Sequence, residues 1–187
     1  MILLASSSPR RSELLKMAGY DFTVVASNVN EDYPDGTAPD QIVELLALRK
    51  AKAVAKPEDG AVVLAADTIV VLRGQVLGKP KDEHDAKAML RQLSGHVHQV
   101  YTGYCILRGE TVVQGYECTS VEFYPLRETE IAAYTATGEP LDKAGAYGIQ
   151  GRGALLIRRI DGDYYNVMGL PIGKIHRILV DMQIQTK

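Results

Sequence analysis

The sequence predicts a mixed α/β fold, a mixed β-sheet with flanking helices, and three observations carry that prediction. Short runs rich in Val, Ile and Leu are interspersed with longer stretches whose apolar residues recur at three- and four-residue spacing. Several strand-like runs follow one another with only a turn between, so the order is not the strict strand–helix alternation of a doubly wound parallel sheet. No internal repeat or low-complexity tract interrupts the 187 residues, which fit one domain, residues 1–187.

Each element has a local reason. Ile2-Leu3-Leu4-Ala5 is short and apolar, as a buried strand is. Ser8-Pro9 opens a helix, with Ser as N-cap and Pro at the first helical position. That helix runs to about Met17, and Gly19 ends it. Phe22 to Val25 is a second strand, and the polar stretch Ser27 to Thr37, with Pro34 and Gly36, is a loop. From Pro39 to about Ala55 the positions Val43, Leu46, Ala47 and Val54 form a helical stripe. Ala61 to Leu72 is a strand that Arg73-Gly74 turns back into Val76-Leu77. Asp82 caps a helix carrying Ala86, Met89, Leu90 and Leu93. Strands over about 97–107 and 111–124 are joined at Gly109, and a short helix follows over about 127–136. Gly145, Gly148, Gly151 and Gly153 mark a loop leading to a strand at Ala154–Ile160. Asp161-Gly162 then reads as a hairpin turn, and a last helix runs from about Pro171 to Met182.

Composition narrows the function classes. With 46% hydrophobic residues the chain has ample apolar material for a core, which excludes disorder. The 21 basic and 23 acidic residues leave a net charge of −2, so no global field draws the protein to nucleic acid or an anionic membrane. Any anion site has to be a local cluster. The apolar run from Ala61 is broken at Asp67, far short of the roughly 20 residues that span a bilayer. The N-terminus turns polar at Ser6 and carries no secretory h-region, so a cytoplasmic location is expected. Cys105 and Cys118 sit in apolar runs and are expected as free, small hydrophobes in a reducing compartment.

Three places break local rules. A helix N-terminus favours Asp or Glu in its first turn, yet Arg10 and Arg11 stand there. Ser8, the free N–H groups and two guanidiniums would make a phosphate cradle, unless both arginines simply extend into solvent. Asp67 interrupts a buried strand and needs a cation, a metal or several donors, backbone amides at a bulge among them. Lys50 falls inside the apolar stripe of its helix, either snorkelling to the surface or turned inward to Asp67 or a phosphate. Lys79, just beyond the hairpin strand, adds a fourth cation, with Lys52 and Lys81 in reserve. His96 and His98 lack a third zinc ligand nearby, Asp161-Gly162-Asp163 lacks the rest of a calcium loop, and no Walker or dinucleotide Gly motif is present.

Six segments together resemble one family. They are residues 5–15 (Ala-Ser-Ser-Ser-Pro-Arg-Arg-Ser-Glu-Leu-Leu), Ala65-Ala66-Asp67-Thr68, Gly78-Lys79-Pro80 and the run from Leu93 to His98. Glu139 to Gly151 and Gly162 to Pro171 complete the set. In this order they are similar to the Maf proteins, nucleoside triphosphate pyrophosphatases linked to septum formation. The resemblance implies the fold of inosine triphosphate pyrophosphatases, with the site in a cleft between two lobes. It implies hydrolysis of a nucleoside triphosphate to the monophosphate and pyrophosphate, assisted by Mg²⁺ or Mn²⁺. Asp67 matches the family's proposed proton acceptor. Arg10, Thr68 and Gln150 match the positions that separate its substrate branches, and these three residue types resemble the dTTP/UTP branch.

The residue chemistry agrees with that expectation. Ser8, Arg10, Arg11, Lys50 and Lys79 are candidate ligands for the triphosphate. Asp67 would take a proton from the attacking water or hold the metal, with Glu31 in the polar loop as second carboxylate. The Gln150 amide carries a donor and an acceptor that can pair with N3–H and a carbonyl of uracil or thymine, whereas cytosine reverses part of that pattern. The expected partner is thus a pyrimidine nucleoside triphosphate, not nucleic acid or membrane, and a homodimer is an allowed assembly. The rival class is a non-enzymatic, nucleotide-sensing regulator of septation.

Overall fold

The computed structural model describes residues 1–55 and 60–186. Its strands are β1 (Ile2–Leu4), β2 (Phe22–Val24), β3 (Val62–Leu72), β4 (Gln75–Leu77), β5 (Val97–Arg108), β6 (Thr111–Phe123) and β7 (Ile157–Asp161). They form one mixed sheet in the order β2-β1-β3-β5-β6-β7, with β4 paired to β3. β1 runs parallel to both β2 and β3, while β4 on β3 and β7 on β6 are antiparallel. The helices are α1 (Pro9–Met17), α2 (Pro39–Val54), α3 (Glu83–Leu93), α4 (Glu128–Thr135), α5 (Tyr164–Met168) and α6 (Ile172–Asp181). Among the described residues no helix is long and apolar enough to cross a membrane.

The chain divides into two compact units, Met1–Asp67 with Thr102–Glu117 and Gly169–Lys187, and Thr68–Tyr101 with Cys118–Met168. β3, β5 and β6 are therefore long strands that each contribute residues to both.

In the first unit α2 lays Ala47, Ala51 and Val54 against Ala5, Val63, Ala65, Cys105 and Leu107. The alanines on both sides let helix and sheet approach closely. Gly103 of β5 takes this furthest, since a Cβ there would collide with the backbone carbonyl of Val43 in α2. Cys105 is buried, and neither Cys105 nor Cys118 is in a disulfide.

In the second unit α3 and α4 cover a core that includes Leu72, Leu90, Leu93, Phe123, Ile131 and Leu156. Asp82 caps α3 as expected, its side chain accepting from the Asp85 N–H at 2.8 Å. The β3–β4 turn places Arg73 at φ 50° and Gly74 at φ 80°, the double left-handed geometry of a tight hairpin. His98 is fully buried, its Nε2 2.7 Å from the Tyr147 hydroxyl, with Phe123 and Tyr147 packed edge-on. Burial pushes its pKa down to about 4. It is a core residue, and His96 instead meets Arg73 at 2.7 Å.

Two expectations along the chain change. Gly151–Leu156 is a tight 3-10 turn, so the strand expected from Ala154 begins only at Ile157. Asp161-Gly162 is no hairpin turn. Gly162, at φ 128°, passes close against Thr119, and Asp163 then opens α5 by accepting from the Tyr165 N–H at 2.7 Å. Five residues of helix have no period to read, and α5 is held from outside. Its Asn166 donates to the Val100 carbonyl and to Thr119 Oγ1, both at 2.9 Å.

Candidate active site

The first unit assembles its charged residues from three elements. β1 ends at Leu4, and the chain leaves it through Ala5 and Ser6 into α1. Ser6 is buried, and its Oγ accepts from the Ser8 N–H at 3.2 Å and from Arg11 Nη1 at 3.0 Å. Pro9 holds the first helical position, no acidic residue stands in the first turn, and the Ser8 side chain makes no capping bond. The start of α1 thus keeps its positive character.

Arg10 and Arg11 part company there. Arg10 is half-buried. Arg11 is turned inward, with Nε donating to the Gly169 carbonyl at 2.8 Å. Burial pushes the Arg11 pKa down; among its neighbours Asp67 raises it, Arg10 lowers it and Glu31 raises it. The guanidinium therefore lies in the field of both carboxylates, as a fixed charge held by Gly169 and Ser6.

α2 supplies the central cation. Lys50 occupies the buried stripe with Val43, Leu46, Ala47, Ala51 and Val54. Its Nζ lies 2.5 Å from Asp67 Oδ1 and 2.7 Å from Glu31 Oε1. The Lys50 and Asp67 side chains are each only 11% exposed, whereas Glu31 is 62% exposed. Lys50 therefore does not snorkel; it joins a buried strand acid to a loop acid. The neighbouring Arg49 donates through Nη1 to the carbonyls of Asn30 and Asp32, at 3.3 and 2.5 Å, and so fixes the backbone on both sides of Glu31.

Two carboxylates converging on one cation are also the donor set a hard divalent cation accepts. Mg²⁺ is commonly held by one or two carboxylates together with water and substrate phosphates. Among the described residues no group of three or more His, Cys, Asp or Glu is placed to hold a metal ion, while Glu31 and Asp67 meet on the Lys50 ammonium.

In the second unit lie Thr68, Lys79 and Gln150. Thr68 is half-buried on β3. Leu77 of β4 pairs with Val70, and the chain continues through Gly78 to the exposed Lys79, heading toward the Thr68 end of β3. The Gly78 carbonyl accepts from the Gly145 N–H at 3.0 Å. Gln150 is exposed in the extended conformation just before the 3-10 turn. Of the two reserve lysines, Lys52 is exposed on α2, and exposed Lys81 gives its backbone N–H to Asp85 at 2.9 Å.

Sequence reasoning assigns no individual role to Arg49, Gly103 or Glu139, and it includes Ser6 only as one of the serines before α1. Ser6 and Arg49 act through backbone and neighbouring side chains. The Glu139 carboxylate accepts from the N–H groups of Arg152 and Gly153, at 3.1 and 3.3 Å. Arg49, Gly103 and Glu139 carry no local signature, since their partners lie well away in sequence.

Comparison with known proteins shows what the chain is similar to. A family model described as Maf-like protein matches residues 1–182. A dTTP/UTP pyrophosphatase of Symbiobacterium thermophilum is 53% identical over 178 residues, covering 95% of this chain and 92% of the relative. One of Bacillus cytotoxicus is 52% identical over 177 residues, covering 95% and 93%. Among solved structures, a HAM1 protein from Coxiella burnetii shares the fold, with a TM-score of 0.51 and 13% identity over 96% of this chain and 98% of that one.

Proposed function

The chain belongs to the Maf-like protein family, and from that premise we propose that it hydrolyses dTTP and UTP to the nucleoside monophosphate and pyrophosphate in the cytoplasm. The observation that carries the reading is the buried Asp67 carboxylate held by Lys50, with Glu31 on the same ammonium and Arg11 in their field. Its relatives named dTTP/UTP pyrophosphatase support the choice of substrate.

In this reading a water oxygen forms a bond to the α-phosphorus. The bond from that phosphorus to the bridging oxygen breaks, and pyrophosphate leaves with the bridging oxygen. Asp67 takes the water's proton. Lys50 holds Asp67 through Oδ1 and fixes the orientation of the carboxylate, which keeps its reach to the water constant. Ser8, Arg10, Arg11, Lys50 and Lys79 offset the charge of the triphosphate, the charge that grows on the leaving group included. Glu31 and Asp67 would hold Mg²⁺ or Mn²⁺, which when bound supplies further positive charge to the phosphates. Arg10, Thr68 and Gln150 select the base and sugar, with the Gln150 amide reading N3–H and a carbonyl of uracil or thymine.

The test is turnover on a panel of dTTP, UTP, CTP and GTP with Mg²⁺ or Mn²⁺, read as released pyrophosphate. dTTP and UTP are expected to be cleaved, and Asp67→Asn to abolish release while UTP still binds. Full activity in Asp67→Asn would remove the proton-acceptor role. Nucleotide binding without any turnover in the wild type would favour a non-enzymatic regulator of septation.

A further inference from the structure

Base selection needs more than a glutamine; it needs that glutamine's amide to point one way. Gln150 is exposed, so packing does not orient it. What surrounds it instead is an unusually constrained backbone. The residues that follow, Gly151–Leu156, form a tight helical turn whose first N–H groups would otherwise lack partners. Glu139 supplies them: Oε1 accepts from the Arg152 N–H at 3.1 Å and Oε2 from the Gly153 N–H at 3.3 Å. A carboxylate spread over two consecutive N–H groups at a helical start gains from both bonds and from the local dipole.

The glycines make room for this. Gly151 sits at φ 63°, and a Cβ there would strike Glu139 Oε1. At Gly153 a Cβ would strike the Gly148 carbonyl and come within 2.8 Å of the Tyr134 hydroxyl. That hydroxyl in turn accepts from the Gly148 N–H at 3.2 Å. Glu139 is itself tied down, its N–H donating to Thr137 Oγ1 at 3.1 Å and its carbonyl accepting from Lys143 Nζ at 2.6 Å. Gln150 therefore lies in a short span of chain pinned at Gly148 on one side and at Arg152 and Gly153 on the other.

We propose that Glu139 is the positioning residue of base selection, its carboxylate holding the backbone at Arg152 and Gly153 so that Gln150 presents its amide in a single orientation to the pyrimidine. The proposal rests on the reading of Gln150 given above. Glu139 does not touch the nucleotide; it acts through Gln150.

The experiment measures kcat and KM for UTP and CTP in Glu139→Ala, Glu139→Gln, Gln150→Ala and the double variant Glu139→Ala/Gln150→Ala. Glu139→Ala is expected to lower the UTP-over-CTP ratio of kcat/KM about tenfold, the worth of a lost charged hydrogen bond. Most of that loss falls on the KM for UTP. Because one residue acts through the other, the double variant should fall no lower than Gln150→Ala alone. Glu139→Gln keeps one acceptor oxygen and should give a ratio between wild type and Gln150→Ala. If Glu139→Ala does not fold, Glu139→Gln decides by the same ratio.

A wild-type ratio in the Glu139 variants beside a lowered one in Gln150→Ala overturns the positioning role and leaves Gln150 as the base reader. So does a further drop in the double variant. A wild-type ratio in Gln150→Ala itself overturns the base-reading role beneath it, and the positioning role with it.

Discussion

Replacing Lys50 by Met removes an ammonium that touches both Asp67 and Glu31. The consequence follows from burial. Asp67 sits at 8% exposure in a strand, and without Lys50 its charge loses a partner 2.5 Å away. Breaking a buried ion pair by deleting one member costs about 3–5 kcal/mol. Arg11, whose field still reaches Asp67, keeps the loss near the lower end. Glu31 adds little, because a largely exposed pair is worth about 1 kcal/mol at most. The expected loss is thus about 3 kcal/mol. For a chain of this length that is a fall in melting temperature of about 6–12 °C.

Urea unfolding followed by circular dichroism, with EDTA present, measures the loss. Lys50→Met/Asp67→Asn should recover most of it, because the stranded charge is gone, giving a coupling of about 2 kcal/mol between the two positions. Replacing EDTA by Mg²⁺ should stabilise Lys50→Met but not the double variant, as a cation held by the two carboxylates would. A Lys50→Met protein within about 0.5 kcal/mol of wild type would refute the argument, the size expected of an ordinary surface substitution. Additive effects in the double variant would refute it equally.

Two further outcomes follow from packing and burial. His98 is held neutral in the folded protein with a pKa near 4, against about 6.5 when unfolded, so the unfolded chain binds the extra proton first. Its contribution is complete above pH 6.5 and is lost as the pH falls toward 4. The loss is about 3 kcal/mol, and urea midpoints across that window should show a slope that His98→Gln lacks. Gly103→Ala would drive a methyl group into the α2 backbone at Val43, costing about 3 kcal/mol. Because the same helix carries Lys50 toward Asp67, kcat for UTP should fall as well; unchanged stability and kcat would show that α2 does not rest on Gly103.

Most of the elements were legible because their causes are local. The stripe through Val43, Leu46 and Ala47, the Asp82 cap and the Arg73-Gly74 turn each depend on residues within one or two turns of chain. The same holds for the anomalies that mark the site. A carboxylate inside an apolar strand, a lysine inside an apolar helical stripe and two arginines at a helix start each conflict with the element that contains them, and such conflicts are visible without knowing what resolves them. Residues 151–168 were less legible. The 3-10 turn and α5 are too short for a period and are stabilised by Glu139, Thr119 and Val100, which are remote in sequence.

The sequence alone determined that Asp67, Lys50, Arg10 and Arg11 were under unresolved electrostatic demand, because burial and helix polarity can be read from neighbours along the chain. It could not determine which charge answers which. Arg11 turned to Gly169 and Ser6, and Lys50 turned to Asp67 and Glu31. Only the tertiary structure decided those pairings. For Lys50 the decision rests on how closely α2 packs on the strands, through Gly103 and the alanines, rather than on any residue's own preference.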